Sequence, residues 1–76
     1  MVSRKELKDY GFKTLIEYYD YILDSLINGQ LEHTINLIHE LSKPQAVEFI
    51  QNLKVYEVPE EYARELTALT LQALKR

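Results

Sequence analysis

The chain has 76 residues, 46% of them hydrophobic and 28% charged, with a net charge of −3. That length bounds one small domain spanning residues 1–76, and the composition excludes a disordered chain. Cysteine is absent, which excludes disulfides, thiolate metal sites and cysteine nucleophiles. No apolar run is long enough to span a bilayer, and the opening MVSRKELK lacks the apolar centre of a signal peptide, so a cytoplasmic protein without membrane contact is expected.

The charge is unevenly spread. Residues 1–13 set Arg4, Lys5, Lys8 and Lys13 against Glu6 and Asp9, and Lys75 and Arg76 close the chain. Between them, residues 14–74 hold ten acids against only Lys43, Lys54 and Arg64. Basic ends therefore flank an acidic middle.

The first helix is announced by Ser3-Arg4-Lys5-Glu6, a capping box, with Val2 and Leu7 placed as a hydrophobic staple. Gly11 is its natural stop. The longest pattern follows, with apolar residues at Phe12, Leu15, Ile16, Tyr19, Ile22, Leu23, Leu26 and Ile27. This is the i, i+3, i+4, i+7 stripe of an amphipathic helix over Phe12 to Asn28. It ends at Asn28-Gly29, and so short a turn predicts an antiparallel hairpin with the next helix. That third helix reads from Gln30 or Leu31 to about Leu41, with Leu31, Ile35, Ile38 and Leu41 on its inner face.

Ser42-Lys43-Pro44-Gln45 is a second capping box, with Pro44 in the first turn, where its missing N–H costs nothing. The fourth helix carries Ala46, Val47, Phe49, Ile50 and Leu53. Lys54 to Val58 reads as an extended connector. Pro59 opens the last helix, whose stripe is Tyr62, Ala63, Leu66, Leu69, Thr70, Ala73 and Leu74. One contiguous core is expected from Leu15, Tyr19, Ile22, Leu26, Ile35, Ile38, Ile50, Leu66 and Leu69. The fold class is all-α, a compact antiparallel four-helix bundle with a short additional N-terminal helix.

Catalytic signatures are weak. His33 and His39 stand six residues apart, roughly 120° around one helix, and cannot share a ligand. Glu17, Asp20 and Asp24 line one face, but carboxylates of a single helix offer a hard cation too few oxygens. There is no phosphate loop, nucleophile elbow or HExxH. The expectation is a chain that is not an enzyme and takes no cofactor, metal or small-molecule substrate.

Two surfaces carry the functional expectation. Arg4, Lys5, Lys8, Lys13, Lys75 and Arg76 would form a positive patch if the chain ends meet, suited to weak, non-specific contact with phosphates of single-stranded or branched DNA. Tyr18 and Tyr21 lie off the central stripe at i, i+3; they either pack beneath the N-terminal helix or connector, or form an exposed aromatic pair that meets a protein.

Pro44, Glu48-Phe49-Ile50, Leu53, Val55, Tyr62, Glu65 and Leu66 together resemble the latter part of an HRDC domain. That family is a bundle of about five short helices at the end of RecQ-type helicases and RNase D, where it assists structure-specific nucleic-acid binding. The family's turn glycine is missing here, where Lys54 and Tyr56 flank Val55. In its size the chain also resembles the small companion proteins that T-even phages encode beside a recombination helicase. The resemblance implies an accessory module for nucleic-acid processing that docks a helicase, in the host cytoplasm if phage-encoded. The alternative is a pure protein-interaction or homo-oligomerising bundle with no nucleic-acid contact.

Overall fold

The computed structural model describes residues 1–75, which form five α-helices: α1 (Arg4–Asp9), α2 (Leu15–Ile27), α3 (Leu31–His39), α4 (Lys43–Val55) and α5 (Glu60–Leu74). No strand occurs among the described residues. Hydroxyl caps set three of the helix starts. Ser3, Thr14 and Ser42 accept the backbone N–H of Glu6, Glu17 and Gln45, satisfying donors that a first helical turn leaves over. At Ser42 the box closes fully, because Gln45 Oε1 accepts from the Ser42 N–H at 3.0 Å. At Ser3 it does not: the Glu6 carboxylate takes the Ser3 hydroxyl instead. Thr14 starts α2 later than the hydrophobic stripe implied, leaving Phe12 outside the helix.

Three helices stop in the same way, with a left-handed residue and a backbone bond reaching back from the residue after it. Gly11 (φ 84°) lets the Phe12 N–H reach the Leu7 carbonyl, and Gly29 (φ 77°) lets Gln30 reach Ser25. The third case corrects the sequence reading. Lys54 and Val55 continue α4, and Glu57 (φ 52°) takes the left-handed position while the Val58 N–H bonds Leu53. The expected extended connector Lys54–Val58 is thus a helix end followed by a tight turn. It was unreadable because glutamate stands where glycine normally signals this stop.

Side-chain bonds fix the helix directions. Tyr18 reaches Leu37, Tyr21 reaches His33 and Ser25 reaches Thr34, so α2 and α3 run antiparallel. Tyr19 bonds the Gln45 carbonyl, which brings the start of α2 to the start of α4. The radius of gyration, 11.4 Å, equals the roughly 11 Å of a compact chain of this length.

The core gathers Val2, Leu7, Tyr18, Tyr19, Ile22, Leu37, Ile38, Phe49, Leu53 and Leu66, with Leu15, Leu26 and Leu69 packed against it. Ile35 and Ile50, expected inside, are half-buried, and Leu31 and Val47 are exposed. The face of α3 turned inward is Thr34, Leu37 and Ile38. Thr34 is admitted because its hydroxyl bonds both the Gln30 carbonyl and Ser25 Oγ at 2.8 Å, leaving no unsatisfied polar atom. Thr70 bonds backward along its own helix, to the Leu66 carbonyl, and Ser25 shares its one proton between Thr34 Oγ1 and the Ile22 carbonyl at 3.1 Å. Hydropathy counts all three as polar; on α3 the expected stripe holds at Ile38, with Ile35 and Leu41 half-buried, but Leu31 is exposed and the inward face turns to Thr34 and Leu37.

The N-terminal segment is held by one side chain. Gln45 Nε2 donates to the Val2 carbonyl at 2.8 Å, and Gln45 Oε1 accepts the Val2 N–H at 3.1 Å. The glutamine that caps α4 therefore also pairs with Val2 as a neighbouring strand would. Val2 and Leu7 are buried beneath it, so α1 is anchored.

Candidate nucleic-acid interface

Gly11 reverses the chain so that Tyr10 and Phe12 stand on either side of it above the first turns of α2. The Phe12 ring lies 6.2 Å from Tyr10 and 5.5 Å from Tyr21, and Tyr21 lies 5.5 Å from the His33 ring. Tyr21 and His33 also share a hydrogen bond of 3.0 Å. The result is a ribbon of four rings crossing from the α1 turn over α2 to α3. Tyr10 is 55% exposed and Tyr21 37%, with Phe12 half-buried between them.

Tyr18 lies beneath this ribbon. Its ring meets Phe12 edge-on at 6.1 Å, and its hydroxyl donates to the Leu37 carbonyl at 2.7 Å. That carbonyl sits in the last turn of α3, where its backbone donor is the Glu40 N–H at 3.3 Å, so the shorter Tyr18 bond caps α3 from the core. Burial pushes the Tyr18 phenol well above the ordinary tyrosine range, with smaller contributions from Tyr10, Glu40 and Glu6. Of the two alternatives for Tyr18 and Tyr21, Tyr18 takes the first, fully buried beneath α1 and its turn, while Tyr21 reaches the surface, so the two do not form an exposed pair. Tyr19 is likewise raised by burial and by the Glu48 carboxylate, which its hydroxyl meets at 3.3 Å.

Beside the ribbon, Arg4, Lys8 and Lys13 line one open hollow of about 570 Å³ whose apolar floor is Leu7 and Phe12. Helical spacing explains two of the three, since Arg4 and Lys8 stand at i, i+4 on one face of α1. Lys13 joins them because the Gly11 turn folds the chain back. None of the three side chains pairs with a carboxylate, though the Lys13 backbone N–H donates to Glu17 Oε1 at 3.3 Å; the one ion pair among the described residues joins Arg64 to Glu60. Lys5 is exposed on α1 but does not line the hollow.

Lys75 follows Ala73 and Leu74, which close on Ile38, Leu41 and Ala46. Ala46 adjoins the Gln45 that holds Val2, so α5 finishes at the end of the molecule where the chain begins. Arg76 lies outside the described residues.

Sequence reading missed Tyr10, Phe12 and His33 as parts of this surface. Phe12 had been assigned to the helix stripe, although Thr14-Leu15-Ile16-Glu17 carries the cap signature that would have placed it outside. Among the described residues, no three His, Asp or Glu side chains are placed to hold a metal ion, and no helix is long and apolar enough to cross a membrane. No protein-family model, curated protein or solved structure matches this chain.

Proposed function

We propose that the chain is a non-enzymatic accessory module for nucleic-acid processing, which binds single-stranded or branched DNA weakly and docks a helicase. The observation that carries this reading is the ribbon of Tyr10, Phe12, Tyr21 and His33 beside three cations without carboxylate partners. Unpaired bases stack on aromatic faces with about 1–3 kcal/mol each, regardless of sequence. Arg4, Lys8 and Lys13 neutralise phosphates and release their counterions. A duplex keeps its base faces covered, so exposed rings favour strands that are unpaired or branched.

The alternating helix directions fit a four-helix bundle with a short N-terminal helix, the HRDC-like arrangement that the second half of the chain resembles. Glu57 then holds the left-handed turn that the family gives to glycine. On this reading the protein works in the cytoplasm, the host's where it is phage-encoded.

Fluorescence anisotropy of a labelled oligothymidylate at low salt tests it. Three phosphate contacts to a single strand give a log–log salt slope of about −2. Engagement of Lys5, Lys75 and Arg76 as well steepens it to about −4. Replacing Arg4, Lys8 and Lys13 by Glu abolishes binding while the circular dichroism spectrum stays that of the parent. Equal binding by parent and triple variant removes the reading.

A further inference from the structure

On the face formed by α4 and α5 the packing is left open. Ile50 and Leu53 of α4 and Ala63, Ala68 and Leu71 of α5 line a groove of about 350 Å³, and Leu71 remains 48% exposed. An apolar groove between two helices is the usual seat of an amphipathic helix, which lays i, i+4, i+7 side chains along it. Ala63 and Ala68 keep the groove shallow, so a visiting backbone can approach closely.

The rim charges identify the visitor. Residues 14–74 contain only three cations, and two of them, Lys54 on α4 and Arg64 on α5, border this groove. Lys54 has no ion-pair partner among the described residues. The one acid in the lining, Glu60, is already bonded to Arg64, whose remaining N–H donors stay available. The groove is therefore a locally positive, apolar site on an acidic body.

We infer that the α4–α5 groove binds an amphipathic helix of a partner protein, its apolar face on Ile50, Ala68 and Leu71 and its acidic flank against Lys54 and Arg64. This surface shares no residue with the aromatic ribbon, so the two sites stand or fall separately.

The test uses two synthetic helical peptides with the same Leu stripe, one flanked by Glu and one by Lys, titrated into the labelled full chain and followed by backbone amide shifts. The Glu-flanked peptide moves the resonances of α4 and α5 and binds about tenfold more tightly than the Lys-flanked one. Lys54→Glu with Arg64→Glu reverses that preference, and Leu71→Glu, at an exposed position, abolishes binding of both without unfolding the chain. No binding, equal binding of the two peptides, or binding indifferent to Leu71→Glu overturns the proposal. Sedimentation of the chain alone covers the remaining occupant: a dimer that Leu71→Glu dissolves means that the groove is filled by a second copy, and also overturns it.

Discussion

The two helical hairpins of this protein are built from similar parts and finished differently. In α2–α3, α1 and its turn cover Tyr18, and the interface is stitched by Ser25 to Thr34 and by Tyr18 to Leu37, while Ile16, Ile27 and Leu31 remain exposed. In α4–α5, no segment among the described residues covers the groove, and Val47, Val55 and Leu71 remain exposed. Both hairpins place a left-handed residue at the end of the first helix, but one uses Gly29 and the other Glu57. A 76-residue chain has too little apolar material to close every face. The hairpins differ in what lies on them: α1 and its turn lie on the first, and the α4–α5 groove of the second is left uncovered among the described residues.

The largest effects should separate buried from exposed positions on one helix. Leu37→Ala is expected to cost about 2–5 kcal/mol in urea unfolding, whereas Leu31→Ala, one face away on α3, stays within about 0.5 kcal/mol. The reverse order would restore the stripe of Leu31, Ile35, Ile38 and Leu41. Phe49→Ala, the matching core position on α4, should cost about 3–5 kcal/mol.

Alkali should act through the buried tyrosines. Tyr18 and Tyr19 are both raised by burial, so their folded values lie above the unfolded value of about 10. Their contribution is complete below that pH and is lost as pH rises above it. Each tyrosine then removes about 1.4 kcal/mol per pH unit until it ionises in the folded state. Unfolding followed from pH 9 to 12 should show this loss, and Tyr19→Phe should halve its slope.

The hydroxyl stitching gives a smaller contrast. Thr34→Val removes the bond to Ser25 inside the first hairpin and should cost about 1–2 kcal/mol. Thr67→Val, in the lining of the open groove, should stay within about 0.5 kcal/mol. Similar costs at both positions would erase the distinction between sealed and open hairpins.

The turns give the smallest. Gly29→Ala meets no atom within 4 Å, so its cost of about 1 kcal/mol is backbone conformation alone. Glu57→Gly should stabilise by about 0.5–1 kcal/mol, relieving a left-handed glutamate. Thermal melts of the two variants should therefore move in opposite directions.

Much of this architecture is written locally. Ser42-Lys43-Pro44-Gln45, Gly11, Asn28-Gly29 and Pro59 mark helix ends through chemistry that acts within a few residues, and the α5 stripe lies where its spacing puts it. What hydropathy hides is polar chemistry made neutral by a partner. Thr34 reads as surface until Ser25 and the Gln30 carbonyl are seen to satisfy it, and Tyr18 looks off the stripe until Leu37 takes its hydroxyl. Glu57 gives no stop signal because any residue but glycine in that conformation is rare. The ribbon is tertiary altogether: Tyr10, Phe12, Tyr21 and His33 come from three segments, assembled by the reversal at Gly11 and the α2–α3 hairpin.

The separation of two surfaces is tested most directly by mapping both probes on one isotope-labelled sample. Oligothymidylate should shift the amides of Lys8, Tyr10, Phe12, Lys13, Tyr21 and His33 and leave Ile50, Arg64, Ala68 and Leu71 in place. The Glu-flanked peptide should do the opposite, and each should bind with unchanged affinity when the other is present. Shifts from both probes on the same residues, or displacement of one by the other, would contradict an account in which the sealed hairpin carries the nucleic-acid surface and the open one the protein surface.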